Sequence, residues 1–452
     1  MLEVRKLIQF NKKSLSIVLA LVLLMTSFTI QPFVVNAEDT VDLNAESAIL
    51  VDADTGKILY AKDADVALPP ASMTKMMTEY LVLEAIEEGQ IDWDTTTQIS
   101  DYAYSISANV LFSGIGLTQS KDYVVKDLYD AMAVFSDNAT TIALAELIAG
   151  SETEFVKMMN EKAEEMGLTE YKFVNSSGLD NDTLGENAPK GTDPNASNLL
   201  SAKSAAQLAY HLVNDYPESL DISSQTEVEF EGYTVENLNW MLPHEASFLQ
   251  PFHYEGMDGL KTGNTELAGY TFTGTAERDG KRLITVVMKT SSKAERFEET
   301  AKLLDFGFNK FQKEELFAAG YQLENQETLP VSKGKEDLVN ISINEGVSTP
   351  IQPDEKELYS LEYTIDEEKL NGNGELIAPI EKDEKIGTAK LVYEGEAEDY
   401  GYIFDDASFS IDVVSNETVE KANWFMLTLG AIGDFFGNVF TTSVDWIKGL
   451  FN

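Results

Sequence analysis

Ala48-Ile49-Leu50-Val51, Asp52-Ala53-Asp54-Thr55-Gly56 and Lys57-Ile58-Leu59-Tyr60 follow one another near the start of the chain, two short apolar runs around a turn that ends in glycine. Such a pair reads as a β-hairpin. A second hairpin lies far along the chain, where Gly269-Tyr270-Thr271-Phe272-Thr273 and Arg282-Leu283-Ile284-Thr285-Val286-Val287-Met288 straddle Arg278-Asp279-Gly280. Between the hairpins the apolar spacing is helical, over Ser72 to about Glu88, Val124 to Val134, Thr140 to Ile148 and Glu152 to Met166. A further helix, Lys293 to about Phe311, follows the second hairpin. Strands at both ends with helices between them predict one α+β domain over residues 40–313, its sheet assembled from distant segments.

Residues 314–415 change character, with Asn371-Gly372-Asn373-Gly374, isolated prolines and short β-rich runs such as Leu338–Ile343 and Lys390–Tyr393, and predict a small all-β domain. The final stretch, within 416–452, is patterned differently. At about 100° per residue, Trp424, Phe425, Ile432, Phe436, Val439, Trp446 and Ile447 fall in one arc and Asp434, Asp445 and Lys448 in the opposite one. The two aspartates interrupt the apolar run well short of the ~18 residues that read as spanning. The expectation is an amphipathic helix lying in a membrane surface, against the alternative of a terminal helix packed on the protein's own core. At the other end, Arg5, Lys6, Lys12 and Lys13 precede the apolar run Ile17–Met25, and Val35-Asn36-Ala37 has the small residues of a cleavage site. Residues 1–37 therefore read as an export signal.

The chain of 452 residues carries a formal net charge of −44, a field that repels phosphate backbones and excludes a nucleic-acid partner. Cysteine is absent, so thiol nucleophiles, disulfides and Cys-ligated metals are excluded. Three histidines in all make a histidine metal cluster improbable, and His244-Glu245 does not complete HExxH; neither a metal nor a cofactor is expected.

Three short motifs remain, in order: Ser72-Met73-Thr74-Lys75, Ser136-Asp137-Asn138 and Lys261-Thr262-Gly263. Pro69 and Pro70 stop any preceding helix, so the Ser72 hydroxyl stands near a helix start with Lys75 one turn on, on the same face. A serine hydroxyl is a weak nucleophile without a base, and a lysine is a base only when burial or a neighbouring cation lowers its pKa. Lys261 is a candidate for that cation. Ser136 and Asn138, on an interhelical turn, have the groups to bond the lysines and a substrate amide, and Lys261 and Thr262, on an exposed strand, suit a carboxylate. Each motif alone is weak, since an N-cap explains Ser72, a turn explains residues 136–138, and Ser-x-x-Lys recurs by chance at Ser332-Lys333-Gly334-Lys335. Their joint occurrence on a helix start, a helix junction and a strand is what carries the reading.

With these motifs, Ala71–Thr78, the run from Ser136 to Glu146, Phe173–Asn175 with Gly178-Leu179, and Asp258–Gly263 with Ala268-Gly269-Tyr270, the chain resembles the low-molecular-mass penicillin-binding proteins, specifically serine-type D-alanyl-D-alanine carboxypeptidases of the DacA kind. The resemblance implies a β-lactamase/transpeptidase-like catalytic domain, an antiparallel sheet with helices, followed by the β-rich domain and the amphipathic tail. It implies that Ser72 is acylated by the D-Ala-D-Ala end of a peptidoglycan stem peptide, with Lys75 as base and Ser136 relaying a proton to the leaving D-alanine. Asn138 would bind the acyl-side amide, and Lys261 and Thr262 of the Lys-Thr-Gly motif, ending in Gly263, the terminal carboxylate. Arg296 matches a family arginine credited with the same carboxylate, the alternative being a surface helix charge. The oxyanion hole would use the backbone N–H groups of Ser72 and Asn264, the latter replacing a histidine found in some members. β-Lactams would trap Ser72, and the enzyme would act at the outer face of the cytoplasmic membrane. Two rivals stand beside this reading. One is a class A β-lactamase, whose ExxLN segment occurs here only at Glu367–Asn371, after Lys-Thr-Gly; the other is a non-catalytic peptidoglycan-binding scaffold.

Overall fold

Residues 41–404 and 410–423 are described by a computed structural model. The expected export signal and the amphipathic helix from Trp424 onward lie outside the described residues. Among the described residues no helix is long and apolar enough to cross a membrane.

The first hairpin forms β1 (Ser47–Asp52) and β2 (Ile58–Lys62). Its partner across the chain is the second hairpin, whose strands run further than the apolar pattern alone, as β4 (Gly269–Arg278) and β5 (Lys281–Thr290). β1 pairs antiparallel with β5, Ile49 opposite Val286 and Val51 opposite Ile284. With β3 (Met257–Thr265) on the edge the order is β2-β1-β5-β4-β3. Every residue of β1 is buried because both faces of the sheet are covered. Ile49, Val51, Ile284 and Val286 face the helical core. Leu50 and Leu283 face Gly307 of the last helix of the domain, Lys293–Lys310, where a Cβ would come within 2.6 Å of the Leu283 side chain.

The helical layer is built on α1 (Lys75–Glu87), which is buried on nearly all sides, as a central helix must be. Around it stand α2 (Asp101–Ser107), α3 (Val125–Asp130), α4 (Asn138–Ala149), α5 (Glu152–Glu165) and α6 (Ala202–Asp215); α7 is the Lys293–Lys310 helix on the far face. α6 escaped the sequence reading although Ser201 caps it and Ala205, Ala209 and Leu212 mark its buried stripe. Two helix ends also differ from expectation. The helix expected from Ser72 begins as a 3₁₀ turn, Ala71–Thr74, and becomes α-helical at Lys75, while α3 runs into a wide π turn, Ala131–Phe135. Wide turns of this kind are frequent at functional sites.

The second region is all-β, with β6 (Gln312–Phe317) leading in from Phe311. It continues through β7 (Thr328–Ser332), β8 (Leu338–Ile343), β9 (Val347–Ile351), β10 (Tyr359–Ile365), β11 (Leu376–Ile377), β12 (Lys385–Tyr393) and β13 (Ile411–Ser415). Six strands form one sheet in the order β10-β12-β13-β8-β7-β11, and β6 pairs with β9. Val339, Ile341, Ile386, Val413 and Val419 make its core. Val419 exchanges backbone hydrogen bonds with Ile380 (2.9 and 3.0 Å), so the packed chain continues past 415, where the sequence reading ended the domain. A segment of this region returns to the first domain. Ile403, 1% exposed, sits in the helical core; its N–H donates to the Gly56 carbonyl (2.9 Å), and its carbonyl accepts from Gln207 Nε2 (2.6 Å).

Candidate active site

Lys75 is the centre of the site. Its side chain is completely buried, and Nζ stands 2.6 Å from the Ser177 carbonyl, 2.8 Å from Asn138 Oδ1 and 3.0 Å from Ser72 Oγ. A neutral amine has two N–H donors and one lone pair. Two of these neighbours are obligate acceptors and the third is a hydroxyl that can donate, so the arrangement suits the neutral amine with its lone pair toward Ser72. Electrostatics favour the same form. Burial pushes the Lys75 pKa well down and the Lys261 charge adds to that; the carboxyls of Asp137, Glu79 and Glu152 oppose it.

Ser72 lies inside the 3₁₀ turn, whose N-cap is Pro70, and the N-cap of the following α-helix is Thr74, so the reading of Ser72 as a mere N-cap does not hold. Its backbone is clamped by two glycines. Gly178, at φ +85°, lies so close that a Cβ would come 1.9 Å from the Ala71 carbonyl oxygen. Gly263 lets β3 approach from the other side, where a Cβ would meet the Pro70 carbonyl at 2.5 Å. Only glycine satisfies both contacts.

The π turn delivers Ser136 in a left-handed conformation (φ 66°, ψ 34°), a strained state for a non-glycine residue. Its Oγ is buried and has no protein hydrogen-bond partner. Asp137 caps α4, accepting from the Thr140 N–H (2.7 Å) and also from the Ile115 N–H (2.6 Å), which ties loop 113–115 to the site. Asn138 is first a brace, its Oδ1 on Lys75 and its Nδ2 donating to the Ser113 carbonyl (3.1 Å). One N–H of that amide remains for a substrate.

A cleft of about 130 Å³, room for roughly four waters, is lined by Ser72, Ser113, Ser136, Leu238, Trp240, Thr262, Gly263, Asn264, Lys293 and Arg296. Lys75, Asn138 and Lys261 are outside that lining and form the layer behind it. The expectation of an exposed strand at Lys261 and Thr262 needs correction. They are 2% and 5% exposed, because the 3₁₀ turn carrying Ser72 covers this edge of the sheet. The alternative of a surface charge at Arg296 also fails. The residue is 4% exposed and donates from NH1 to the Gly263 carbonyl (3.0 Å), while its buried Nε has no protein partner. Burial holds its pKa down at about 10.

Sequence reasoning missed Ser113, Leu238, Trp240 and Lys293 in the lining and Glu79 beneath it. Lys293 stands one turn before Arg296 on α7, a spacing that was legible. Glu79 stands one turn after Lys75 and is 3% exposed; burial raises its carboxyl pKa, and the charges of Lys261 and Lys75 pull it back. The decoys lie elsewhere. Ser332 ends β7 in the second domain, and His244 bonds the Asn239 carbonyl (2.8 Å). Among the described residues no group of His, Asp and Glu is placed to hold a metal ion.

Residues 34–292 match the sequence profile of the peptidase family described as D-alanyl-D-alanine carboxypeptidase. The chain belongs to this family. Residues 311–421 of the enzyme match the C-terminal domain of penicillin-binding protein 5. It is 31% identical to the D-alanyl-D-alanine carboxypeptidase DacF of Bacillus subtilis, over 86% of this chain and 90% of that one. Among solved structures it is similar to PBP3 of Streptococcus pneumoniae, described as a peptidoglycan synthesis regulatory factor (34% identity, TM-score 0.65, 84% of this chain and all of that one). It is also similar to penicillin-binding protein D2 of Listeria monocytogenes in its cefotaxime-bound form (32% identity, TM-score 0.51, 60% of this chain and 99% of that one). The enzyme is a serine-type D-Ala-D-Ala carboxypeptidase with an α+β catalytic domain and an all-β second domain.

Proposed function

We propose that the carboxypeptidase removes the terminal D-alanine of peptidoglycan stem peptides through an acyl-enzyme on Ser72. The single observation that carries this is the buried Lys75 amine, fixed by two acceptors and 3.0 Å from Ser72 Oγ. Lys75 takes the hydroxyl proton as Oγ bonds to the scissile carbonyl carbon; the C–N bond breaks as that proton passes from Lys75 through the Ser136 hydroxyl to the departing D-alanine amine. Water then cleaves the ester and returns the proton to Ser72. Asn138 holds the acyl-side amide. Lys261, Thr262 and Arg296 hold the terminal carboxylate beside Gly263, and the N–H groups of Ser72 and Asn264 receive the oxyanion.

β-Lactams acylate the same hydroxyl in this reading, supported by the antibiotic-bound relative. The enzyme is exported, loses residues 1–37 and associates with the outer face of the membrane through the helix within 416–452, with the β-rich domain as the spacer. Release of the protein from membranes on deletion of everything after Glu420 is the expected result for that helix. For the chemistry, intact mass after incubation with penicillin decides. One adduct on the wild type and none on Ser72→Ala is expected, and an adduct that survives Ser72→Ala would exclude Ser72 as the nucleophile.

A further inference from the structure

The carbonyl that holds the Lys75 amine belongs to a buried turn, and the turn is held from three sides. Thr78 Oγ1, one helix turn below Lys75 on α1, donates to the Ser176 carbonyl (2.9 Å). Asn175 Oδ1 accepts from the Gly178 N–H (2.8 Å). The third side is Glu152, the first residue of α5 and 4% exposed. Its Oε1 accepts from both the N–H (2.9 Å) and the hydroxyl (2.5 Å) of Ser176, and its Oε2 accepts from the Tyr102 hydroxyl on α2 (2.9 Å). An acid inside a protein is costly unless fully bonded, and here all of its bonding runs toward the turn next to Ser177 and toward the helix behind it.

We infer that Glu152 is a positioning residue of the reaction: by gripping Ser176 through two bonds it fixes the Ser177 carbonyl that aims the Lys75 amine at Ser72, and its negative charge adds to the field at that amine. The inference rests on the reading of Lys75 as the base. The charged groups acting on Lys75 are Lys261 from β3, Asp137 from the head of α4, Glu79 from α1 and Glu152 from α5; Glu152 itself also faces Tyr102 from α2 and Glu146 from α4. Burial raises the Glu152 carboxyl pKa, and the bonds from Ser176 and Tyr102 and the Lys75 charge counter it. The negative charge in turn favours a proton on Lys75. Glutamine at 152 keeps the shape, since its Oε1 accepts from both Ser176 donors and its amide donates to the Tyr102 oxygen, while the charge is lost.

The test is the second-order rate of penicillin acylation against pH, with KM for a D-Ala-D-Ala peptide measured in parallel, for Glu152→Ala and Glu152→Gln. Glu152→Ala is expected to acylate at least tenfold more slowly with KM within about twofold of wild type, which separates a misaimed base from a damaged binding site. Glu152→Gln is expected to recover most of the rate at its optimum with the acid limb of the profile moved to lower pH. A folded Glu152→Ala that acylates at the wild-type rate overturns the inference. Should Glu152→Ala not fold, Glu152→Gln decides, and an acid limb that stays in place overturns it. Wild type and Ser72→Ala run alongside; a wild type that takes no adduct on Ser72 sinks the Lys75 reading itself, a result separable from any behaviour of position 152.

Discussion

Ser72-Met73-Thr74-Lys75 and Ser332-Lys333-Gly334-Lys335 have the same spacing and opposite surroundings. The first lies on a 3₁₀ turn leading into a central helix, with the lysine enclosed and its amine bonded to two fixed acceptors besides the serine. The second leaves the end of β7 through Lys333 at φ 62°, and Lys335 pairs in solvent with Glu420. Burial drives the pKa of Lys75 down, whereas the bond to Glu420 drives that of Lys335 up. A lysine is a base at neutral pH only in the first setting. On a helix the spacing brings the two side chains of such a pair within reach, but the enclosure decides which charge state the amine holds, and the enclosure comes from residues far away in sequence.

The largest expected effect tests whether only the enclosed copy is reactive. Ser72→Ala should lower D-alanine release by at least about 10⁴-fold, while Ser332→Ala should leave it at the wild-type value in the same assay. Next, Lys75→Ala should slow acylation by about 10²- to 10⁴-fold, with Lys335→Ala matching wild type in rate and melting temperature. Gly178→Ala attacks the enclosure directly. Its Cβ would run into the Ala71 carbonyl at 1.9 Å, and a loss of about 2 kcal/mol or more in unfolding free energy is expected by thermal or urea denaturation. The smallest effect belongs to Glu79→Gln. The Glu79 charge raises the proton affinity of both Lys75 and Lys261, so its loss lowers both. The proposed reaction requires the first neutral and the second charged. Burial lifts the Glu79 carboxyl to about 7, so its charge is present where Lys261 titrates, and the alkaline limb of the kcat/KM profile should therefore move toward acid, by about one pH unit.

The three motifs were legible because side chains spell them, and so were the two hairpins, whose apolar runs survive into β1 and β5. Helix α6 was not, because its buried stripe is mostly alanine, a weak apolar signal. The Ser177 carbonyl was out of reach for a deeper reason: every residue has a carbonyl, and only the turn at Gly178 makes this one special. Glu79 and Glu152 were lost among an excess of acids that keep the surface charged, 77 Asp and Glu against 33 Lys and Arg. Lys261 was expected on an exposed strand because nothing in Lys-Thr-Gly states that the turn carrying Ser72 would pack on this edge, with the Pro70 carbonyl against Gly263.

Ile403 gives the junction between the two domains a particular character. A side chain from the second domain completes the hydrophobic interior of the first, with Phe404 edge-on to Tyr210 at 5.2 Å beside it. The catalytic domain therefore does not close its interior by itself. Calorimetry of the whole chain should give one cooperative peak, and a fragment stopped at Phe311 would carry an open greasy socket and a Gln207 amide short of one acceptor. Ile403 and Phe404 thus tie the β-rich domain to the interior of the catalytic domain rather than to its surface.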